Sequence, residues 1–306
     1  MPVVSVRHLT AYRYRKPVAF GEHRVMYRPL EGHDQRVISA DITVSPDPAL
    51  LRHTHDSSGT SVAVVRFDAR AERLAFESRV RVSHTVLAPF DLEDGGAITA
   101  LEPFAYHRDD ALELARLIAR RHPDAGETQA WAQSFVARSG STRVSSLLSE
   151  MTQAIRGDFA YRLRLEGAPQ TPAETLALRT GSCRDFAMLM IEGARSLGLA
   201  ARFVSGYIYS STPRVGRTGG GHTHAWAQVY APGCGWVDFD PTNGIVGNRD
   251  LIRVACVADP RLAIPLHGAW AGRRADFLGM DVEVDLHVEG NAVAQPRAGW
   301  RVARGA

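Results

Sequence analysis

The chain has 306 residues, enough for one large domain or for two to three smaller ones, so its stability need not depend on disulfides or on a structural metal. Hydrophobic residues make up 45% of the chain and charged residues 23%, a composition that excludes a mostly disordered protein. The formal net charge of +3 comes from interspersed basic and acidic residues, without the basic block of a nucleic-acid surface. We therefore expect no nucleic-acid partner.

The N-terminus and the cysteine content bear on the location of the protein. The segment MPVVSVRHLTAYRYRKPVAF alternates apolar and polar residues and lacks the continuous apolar run of a secretory signal. No other stretch is long and apolar enough to span a membrane. The three cysteines, Cys183, Cys234 and Cys256, are an odd number. These features predict a reduced, cytoplasmic protein without a membrane partner.

The first part of the chain has the pattern of β-strands. Four segments alternate apolar and polar residues or carry β-branched residues, namely VSVRHLTAYRY, RVISADITVSP, SVAVVRFDA and LAFESRVRVSHT. Turn-forming clusters such as SPDP and DSSGT separate them. The pattern predicts a β-rich, all-β N-terminal domain over residues 1–88, in the form of a small sandwich. Residues 89–105 lose this periodicity and collect Pro and Gly, as a linker does.

The periodicity changes from Asp109 onward. The segments DDALELARLIARRH, ETQAWAQSFVARSG and SSLLSEMTQAIRGDF space apolar residues by three and four, which predicts amphipathic helices. A short helix opens at Thr171 with Pro172 in its first position, and a helix that is apolar nearly all round follows Cys183 and ends at Gly198. Strand patterns come next, in ARFVSGYIY, HTHAWAQVYA and GWVDFDP. We expect an α+β core over residues 106–246 and a C-terminal β-strand region over residues 247–306.

Cys183 stands at the predicted start of the most apolar helix. If Ser182 is the N-cap, Cys183 is the first helical residue and Asp185 has the spacing of a capping box. The free N–H groups and the dipole of a helix N-terminus stabilise an anion, either a thiolate or a developing oxyanion. The alternative is a small thiol that simply packs at the end of a helix. A nearby base would favour the reactive interpretation.

The strands after this helix carry a histidine and two carboxylates. In HTHAWAQVY, alternation puts His222 and His224 on one strand face, and in GWVDFDPTN it puts Asp238 and Asp240 on one face. If a three-residue turn joins the strands, position 226 pairs with 240 and 228 with 238, so His224 and Asp240 become diagonal neighbours. Asp240 is then better placed than Asp238 to orient His224. A slip by one residue would separate the two side chains.

Three motifs in this order carry a family resemblance: GSCRDFAMLMIEGARSLGLAARFVSGYI, HAWAQVY and GWVDFDPTNG. They are similar to the Cys, His and Asp motifs of the transglutaminase-like superfamily, in particular of its bacterial branch of cysteine proteases. The segment HLTAYRYRKPVAFGEHRVMYRP resembles the β-rich N-terminal region that accompanies the bacterial core. The resemblance implies a papain-like core with helices packed on an antiparallel sheet. It also implies Cys183 as nucleophile, His224 as general acid and base, and Asp240 as its orienting partner.

The resemblance implies attack on a peptide or glutamine-type amide through a thioester, with no cofactor. Transfer of the acyl group to water would make the protein a protease or amidase, and transfer to an amine would make it a protein transglutaminase. Hydrolysis is the expected outcome because water is in great excess in a cytoplasm. Since the superfamily also contains chains that have lost activity, a catalytically silent binding or scaffold protein is an alternative from another class.

Two other interpretations of the same residues stay open. Cys183, His222, His224, Asp238 and Asp240 are all possible metal ligands, although the chain contains no CxxC or HExxH motif. The glycine run Gly219–Gly221 is compatible with phosphate binding, but it lacks the Lys and Ser/Thr of a P-loop and precedes a strand. A flexible rim beside the active site is the preferred interpretation of that run. His222 is a candidate to tune His224 or to contact substrate.

Overall fold

The computed structural model describes residues 2–87, 96–100, 102–164, 167–211 and 217–289, together with the backbone of residues 299–302. Its strands are β1 (Val3–Val25), β2 (Gln35–Ser45), β3 (Leu50–His55), β4 (Ser61–Arg66), β5 (Arg70–His84), β6 (Ala97–Thr99), β7 (Ser141–Arg143), β8 (Ala160–Tyr161), β9 (Thr180–Gly181), β10 (Ala201–Ile208), β11 (Thr223–Ala231), β12 (Gly235–Asp240), β13 (Ile245–Val246), β14 (Leu251–Val257), β15 (Leu266–Ala271), β16 (Phe277–Val288) and β17 (Gly299–Val302). Its α-helices are α1 (Arg108–Ile118), α2 (Glu127–Gln133), α3 (Val144–Asp158), α4 (Pro172–Leu178) and α5 (Cys183–Ser196). The predicted α+β class, with a β-rich N-terminal region before a helix-and-sheet core, is confirmed.

The long strand β1 organises the N-terminal sheet. Its first half pairs with β5 on one side and β16 on the other, and its second half pairs with β4 and β15. The register of β1 with β5 shifts between Arg13 and Val18, where the strand changes partners. Eight strands are thereby connected into one hydrogen-bonded sheet, where the sequence predicted a small sandwich. Buried aromatic and aliphatic side chains of β1, β4 and β5, among them Phe20, Val65 and Phe76, form its core.

The second sheet has five antiparallel strands in the order β13-β12-β11-β10-β14. Helix α5 packs against β11 and β10 of this sheet. Its side chains are buried on almost every face, as its nearly continuous apolar sequence predicts. Gly198 follows the helix with a φ of 86°, the left-handed conformation that ends a helix and that glycine adopts without strain. The helix that begins at Cys183 is therefore the central element of the core.

The two sheets meet across a buried, largely apolar interface that contains two tyrosine–histidine hydrogen bonds. The hydroxyl of Tyr207 on β10 is 3.0 Å from Nδ1 of His8 on β1, and the hydroxyl of Tyr209 is 2.7 Å from Nδ1 of His84 on β5. Burial lowers the pKa of His8 to about 3 and that of His84 to about 4. Both imidazoles are therefore neutral at physiological pH, and their hydrogen bonds fix the N-terminal sheet against the sheet that carries the site.

The C-terminal strands divide between the two sheets. Strand β14, which follows residue 247, pairs with β10 in the second sheet. Strands β15 and β16 return to the N-terminal sheet and pair with β1. Within the segment predicted as a linker, residues 89–95 and 101 lie outside the described residues, and β6 pairs with β7. After contributing β14 to the second sheet, the chain thus returns to the N-terminal sheet.

None of the helices in the described ranges has the length and the apolar character to cross a membrane.

Candidate active site

Cys183 is the first residue of α5, as predicted, and Ser182 is the N-cap. The backbone N–H and the hydroxyl of Ser182 both donate to Oδ2 of Asp185, at 2.7 and 2.8 Å. Asp185 is fully buried, and its Oδ1 accepts the backbone N–H of Gln170 at 2.7 Å and Nη2 of Arg164 at 2.5 Å. A buried carboxylate with four donors holds the turn before the helix in one conformation. The hydrogen bonds of Asp185 therefore fix the position of Cys183 at the start of the helix.

The hairpin of β11 and β12 has the register that the sequence predicted. Gln228 pairs with Asp238 and Ala231 with Gly235, around a three-residue turn. On this register His224 and Asp240 are diagonal neighbours, and Nε2 of His224 lies 2.8 Å from Oδ2 of Asp240. Both side chains are fully buried. The strands bring the imidazole and the carboxylate together without any contribution from a loop.

The two nitrogens of His224 have different surroundings. Nε2 bonds to Asp240, while Nδ1 is buried and has no hydrogen-bond partner in normal geometry among the described residues. Burial lowers the pKa of His224, but the Asp240 carboxylate and the adjacent Cys183 together outweigh it and raise the pKa to about 10. The imidazole is thus protonated at neutral pH, with Nε2–H donated to Asp240. Nδ1 is therefore the nitrogen that can exchange a proton with the sulfur of Cys183.

Asn243 binds Asp240, and sequence reasoning did not identify it. Its Nδ2 donates to Oδ2 of Asp240 at 2.8 Å and to the carbonyl of Thr218 at 3.1 Å, while its Oδ1 accepts the N–H of Thr218 at 2.9 Å. Backbone N–H groups of Thr242 and Asn243 donate to Oδ1 of Asp240. The carboxylate is therefore oriented on both oxygens. The only signal in the sequence is the position of Asn243 in the motif DPTN.

The glycine run packs against the imidazole rather than around a phosphate. Gly219 has a φ of 88°, and a Cβ at this position would lie 2.6 Å from Nδ1 of His224. Thr218 is tied to Asn243, and Arg217 donates from Nε to Oδ2 of Asp250 at 2.9 Å. A glycine at 219 therefore lets the loop pack closely against the ring, where a Cβ would collide with Nδ1.

Asp238 has partners other than the site histidine. It accepts Nε1 of Trp226 at 2.6 Å, Nε2 of Gln228 at 2.8 Å and Nη1 of Arg253 at 3.2 Å. Arg253 also donates to Asp34 of the N-terminal region at 2.6 Å. Burial raises the pKa of Asp238. This carboxylate therefore supports the hairpin and joins it to the N-terminal sheet.

Tyr161 lies on the strand that pairs with the residues just before α5, although the sequence offered no reason to single it out. Strand β8 pairs in parallel with β9, and this pairing puts Tyr161 opposite Gly181, two residues before Cys183. Its hydroxyl oxygen is buried and has no hydrogen-bond partner among the residues that the structure describes. Burial, followed by the charges of Cys183 and Asp240, raises the pKa of Tyr161 well above its usual range. The hydroxyl is therefore a donor that keeps its proton throughout the physiological range.

A pocket of about 420 Å³ opens above these groups. Cys183, which is 9% exposed, and His224 both line it. Arg164, Arg184 and Arg261 contribute to its lining. The sulfur can therefore be reached by a ligand that fills the pocket, while the imidazole and carboxylate behind it are shielded from water.

The other candidate residues lie around this centre. His222 is buried, and burial lowers its pKa. Cys234 occupies the hairpin turn, and Cys256 is buried on β14, where burial raises its pKa. In the part of the chain that the structure describes, no three His, Cys, Asp or Glu side chains are grouped as metal ligands. Cys183, His224 and Asp240 are the predicted residues that the fold brings together.

The fold and the site define a class: an α+β core in which a cysteine at a helix start faces a histidine and an aspartate on an antiparallel sheet. Residues 124–241 match the model of the transglutaminase-like superfamily, and residues 4–83 match that of the bacterial transglutaminase-like N-terminal region. The chain belongs to the transglutaminase-like superfamily, whose members are usually cysteine-dependent enzymes.

Similar proteins cover nearly the whole chain. The uncharacterized proteins Rv2569c of Mycobacterium tuberculosis (strain ATCC 25618 / H37Rv) and Mb2599c of Mycobacterium bovis are each 31% identical to it, over 94% of this chain and 94% of their own length. Among solved structures, "a Putative Cysteine Protease from Cytophaga hutchinsonii" matches 96% of this chain and 92% of its own, with a TM-score of 0.68 and 18% identity. That structure shares the fold across both sheets.

Proposed function

We propose that this protein is a cysteine-dependent acyl-transfer enzyme that hydrolyses a peptide or glutamine-type amide. The observation that carries the proposal is the buried hydrogen bond between Nε2 of His224 and Asp240, which leaves Nδ1 for Cys183 in an accessible pocket. A thiol, a base and an orienting carboxylate in this order are the parts of a nucleophilic triad. Membership of the superfamily supports the same chemistry.

In the proposed mechanism, His224 holds the proton and Cys183 reacts as the thiolate. The sulfur attacks the amide carbon, and the carbonyl oxygen becomes an oxyanion. Nδ1–H of His224 then protonates the leaving nitrogen as the carbon–nitrogen bond breaks, which releases an amine and leaves a thioester on Cys183. Water gives a proton to His224 as it attacks the thioester, and the carbon–sulfur bond then breaks, which releases a carboxylic acid and restores the Cys183 thiolate and the His224 imidazolium. Asp240 keeps the imidazole in the required orientation throughout.

The oxyanion requires hydrogen-bond donors close to Cys183. The backbone N–H of Cys183 lies in the first turn of α5, where N–H groups have no partner within the helix. The Tyr161 hydroxyl is a second candidate, because it is buried near the sulfur with an unused proton. Two donors of this kind stabilise the negative charge that develops in the transition state.

Tyr161→Phe tests the second donor, since it removes only the hydroxyl. We expect amide turnover to fall about 10²-fold, the usual effect of losing one oxyanion donor. Alkylation of Cys183 by iodoacetamide forms no oxyanion, so its rate is expected to stay unchanged. The measurement compares the two rates in the wild type and the variant. Equal losses in both rates would show that the hydroxyl acts on the thiol instead, and no loss in either would remove Tyr161 from the mechanism.

The abundance of water supports water as the acceptor. The charges of the pocket lining favour neither acceptor, because Arg164 is paired with Asp185 and Arg261 is paired with Asp259. Water competes with every amine for the thioester and is present in great excess. Hydrolysis is therefore preferred over transfer to an amine.

A partition experiment tests the proposed function. The protein is incubated with casein as the amide donor in ¹⁸O water, with and without 5 mM dansylcadaverine, and products are located by mass spectrometry. We expect ¹⁸O-labelled carboxylates in the wild type and none in Cys183→Ala. Incorporation of the dansyl amine in place of ¹⁸O would identify an amine-accepting transglutaminase. Neither product, with an unreactive Cys183, would leave a binding or scaffold protein.

A further inference from the structure

The pocket above Cys183 has two walls that consist largely of apolar side chains. We call residues 163, 164 and 167–169 the first wall and residues 260–265 the second wall. The described residues of the first wall contribute Leu163, Ala168 and Pro169 to the lining. The second wall contributes Pro260, Ile264 and Pro265. The reacting sulfur therefore lies in a cleft between two apolar surfaces.

The second wall is held by the N-terminal sheet. Its short 3-10 helix, Pro260–Ala263, begins at Asp259, whose carboxylate accepts the N–H of Arg261 at 2.9 Å. The wall ends at Pro265, whose carbonyl accepts the N–H of Met26 at 2.8 Å. The chain then continues directly into β15, which pairs with β1. Both ends of this wall are thus fixed.

The first wall is held by the start of α5. Arg184 donates from Nη1 to the carbonyl of Gly167 and from Nη2 to the carbonyl of Arg164, both at 2.9 Å. The chain after this wall is held at Gln170, whose backbone N–H donates to the carboxylate of Asp185. Because both walls are fixed by hydrogen bonds, the cleft exists before a ligand binds, and filling it requires little ordering of the protein.

Ile264 is the aliphatic side chain of this cleft that water reaches most clearly. It is 42% exposed and lines the same pocket as Cys183, so a ligand that fills the pocket covers it at least in part. Covering an aliphatic side chain and an apolar ligand group together is favourable, whereas a charged group in the same place loses its hydration.

We propose that the cleft selects amides with a bulky apolar side chain beside the reacting carbonyl, and that Ile264 determines this preference. The inference rests on the proposed function, because it takes Cys183 as the group that the amide must reach. It adds the substrate class that the triad alone leaves open: peptides with an apolar residue next to the attacked amide. Ile264 acts as a specificity residue, outside the chemistry of proton transfer.

The preference can be measured by alkylation of Cys183, without a known substrate. The probes are iodoacetamide, N-benzyl iodoacetamide, iodoacetate and a trimethylammonioethyl iodoacetamide, and each rate is divided by the rate of the same reagent with glutathione. We expect the benzyl reagent to exceed iodoacetamide by roughly tenfold on this scale, as burial of an aromatic group predicts. Both charged reagents are expected to be slower than the benzyl reagent, because a charged group loses hydration in an apolar cleft.

Leu262 provides a matched control, because it lies in the same short segment and is 50% exposed but does not line the pocket. Ile264→Asp is expected to remove most of the benzyl preference, while Leu262→Asp keeps it; both sites are exposed enough to accept the change. Ready alkylation by iodoacetamide without a benzyl preference would overturn this inference and leave the proposed function intact. Equal losses in both variants would overturn the role of Ile264. A Cys183 that no reagent alkylates would overturn the proposed function as well.

Discussion

Cys183→Ala is expected to lower amide turnover by about 10⁴-fold or more, the effect of removing the nucleophile from a triad. The reason is that the thioester cannot form without the sulfur, and no other described cysteine lines the pocket. The fold should be preserved, because alanine fits the first position of a helix and the buried carboxylate of Asp185 still holds the preceding turn. The measurement is the initial rate of ¹⁸O incorporation at matched protein concentrations, with circular dichroism to compare folding.

Cys234→Ala is the matched control for this variant. Cys234 is also a reduced cysteine, but it lies in the turn between β11 and β12, away from the pocket lining. Its replacement should leave the rate within about twofold, as for most surface substitutions. Activity that survives in Cys183→Ala and disappears in Cys234→Ala would show that Cys234 is the nucleophile and would contradict the proposed role of Cys183.

Local sequence patterns predicted much of the candidate site. The start of α5 followed from Ser182 before an apolar run, since an N-cap and helical periodicity are local signals. The pairing of β11 with β12 followed from two alternating segments around a three-residue turn, and the observed register is the predicted one. Because register determines which side chains share a face, the bond between His224 and Asp240 followed from spacing on the condition that a three-residue turn joins the strands.

The rest depends on contacts between distant parts of the chain. Tyr161 reaches the site because β8 pairs with β9, two-residue strands too short to leave a pattern in the sequence. The return of β15 and β16 to β1 joins residues more than 240 positions apart, and no local preference encodes such pairing. The structural role of Asn243 depends on Thr218, whose position is set by the loop before β11. These features are properties of the tertiary fold.

One hydrogen-bonded chain connects the N-terminal sheet to the site. Asp34 accepts from Arg253, Arg253 donates to Asp238, and Asp238 accepts from Trp226, whose ring stacks on His224 with centroids 5.9 Å apart. All of these groups are buried or nearly so. The N-terminal sheet also supplies the hydrogen bond that holds the second wall of the cleft. The N-terminal sheet therefore acts by holding other groups in place: it fixes the Trp226 ring that stacks on His224, and it fixes one wall of the pocket.

Asp240→Asn is expected to lower turnover by about 10² to 10⁴-fold, although the residue does not contact the amide. With the carboxylate gone, burial becomes the dominant influence on His224 and lowers the pKa of the imidazole instead of raising it to about 10. The neutral ring no longer supplies the proton that the leaving nitrogen needs. Activity should therefore fall mainly through kcat.

The same substitution changes how stability depends on pH. A histidine whose folded pKa lies above its ordinary value of 6.5 contributes stability that is fully present below about 6.5 and is lost as pH rises through about 10. The difference in unfolding free energy between wild type and Asp240→Asn should therefore be largest near pH 6 and shrink toward pH 10. Urea denaturation at pH 6, 8 and 10 measures it, with Asp158→Asn as the control because Asp158 is exposed. A difference that grows with pH would mean that His224 is neutral in the native protein, and the thiolate and imidazolium pair would have to be abandoned.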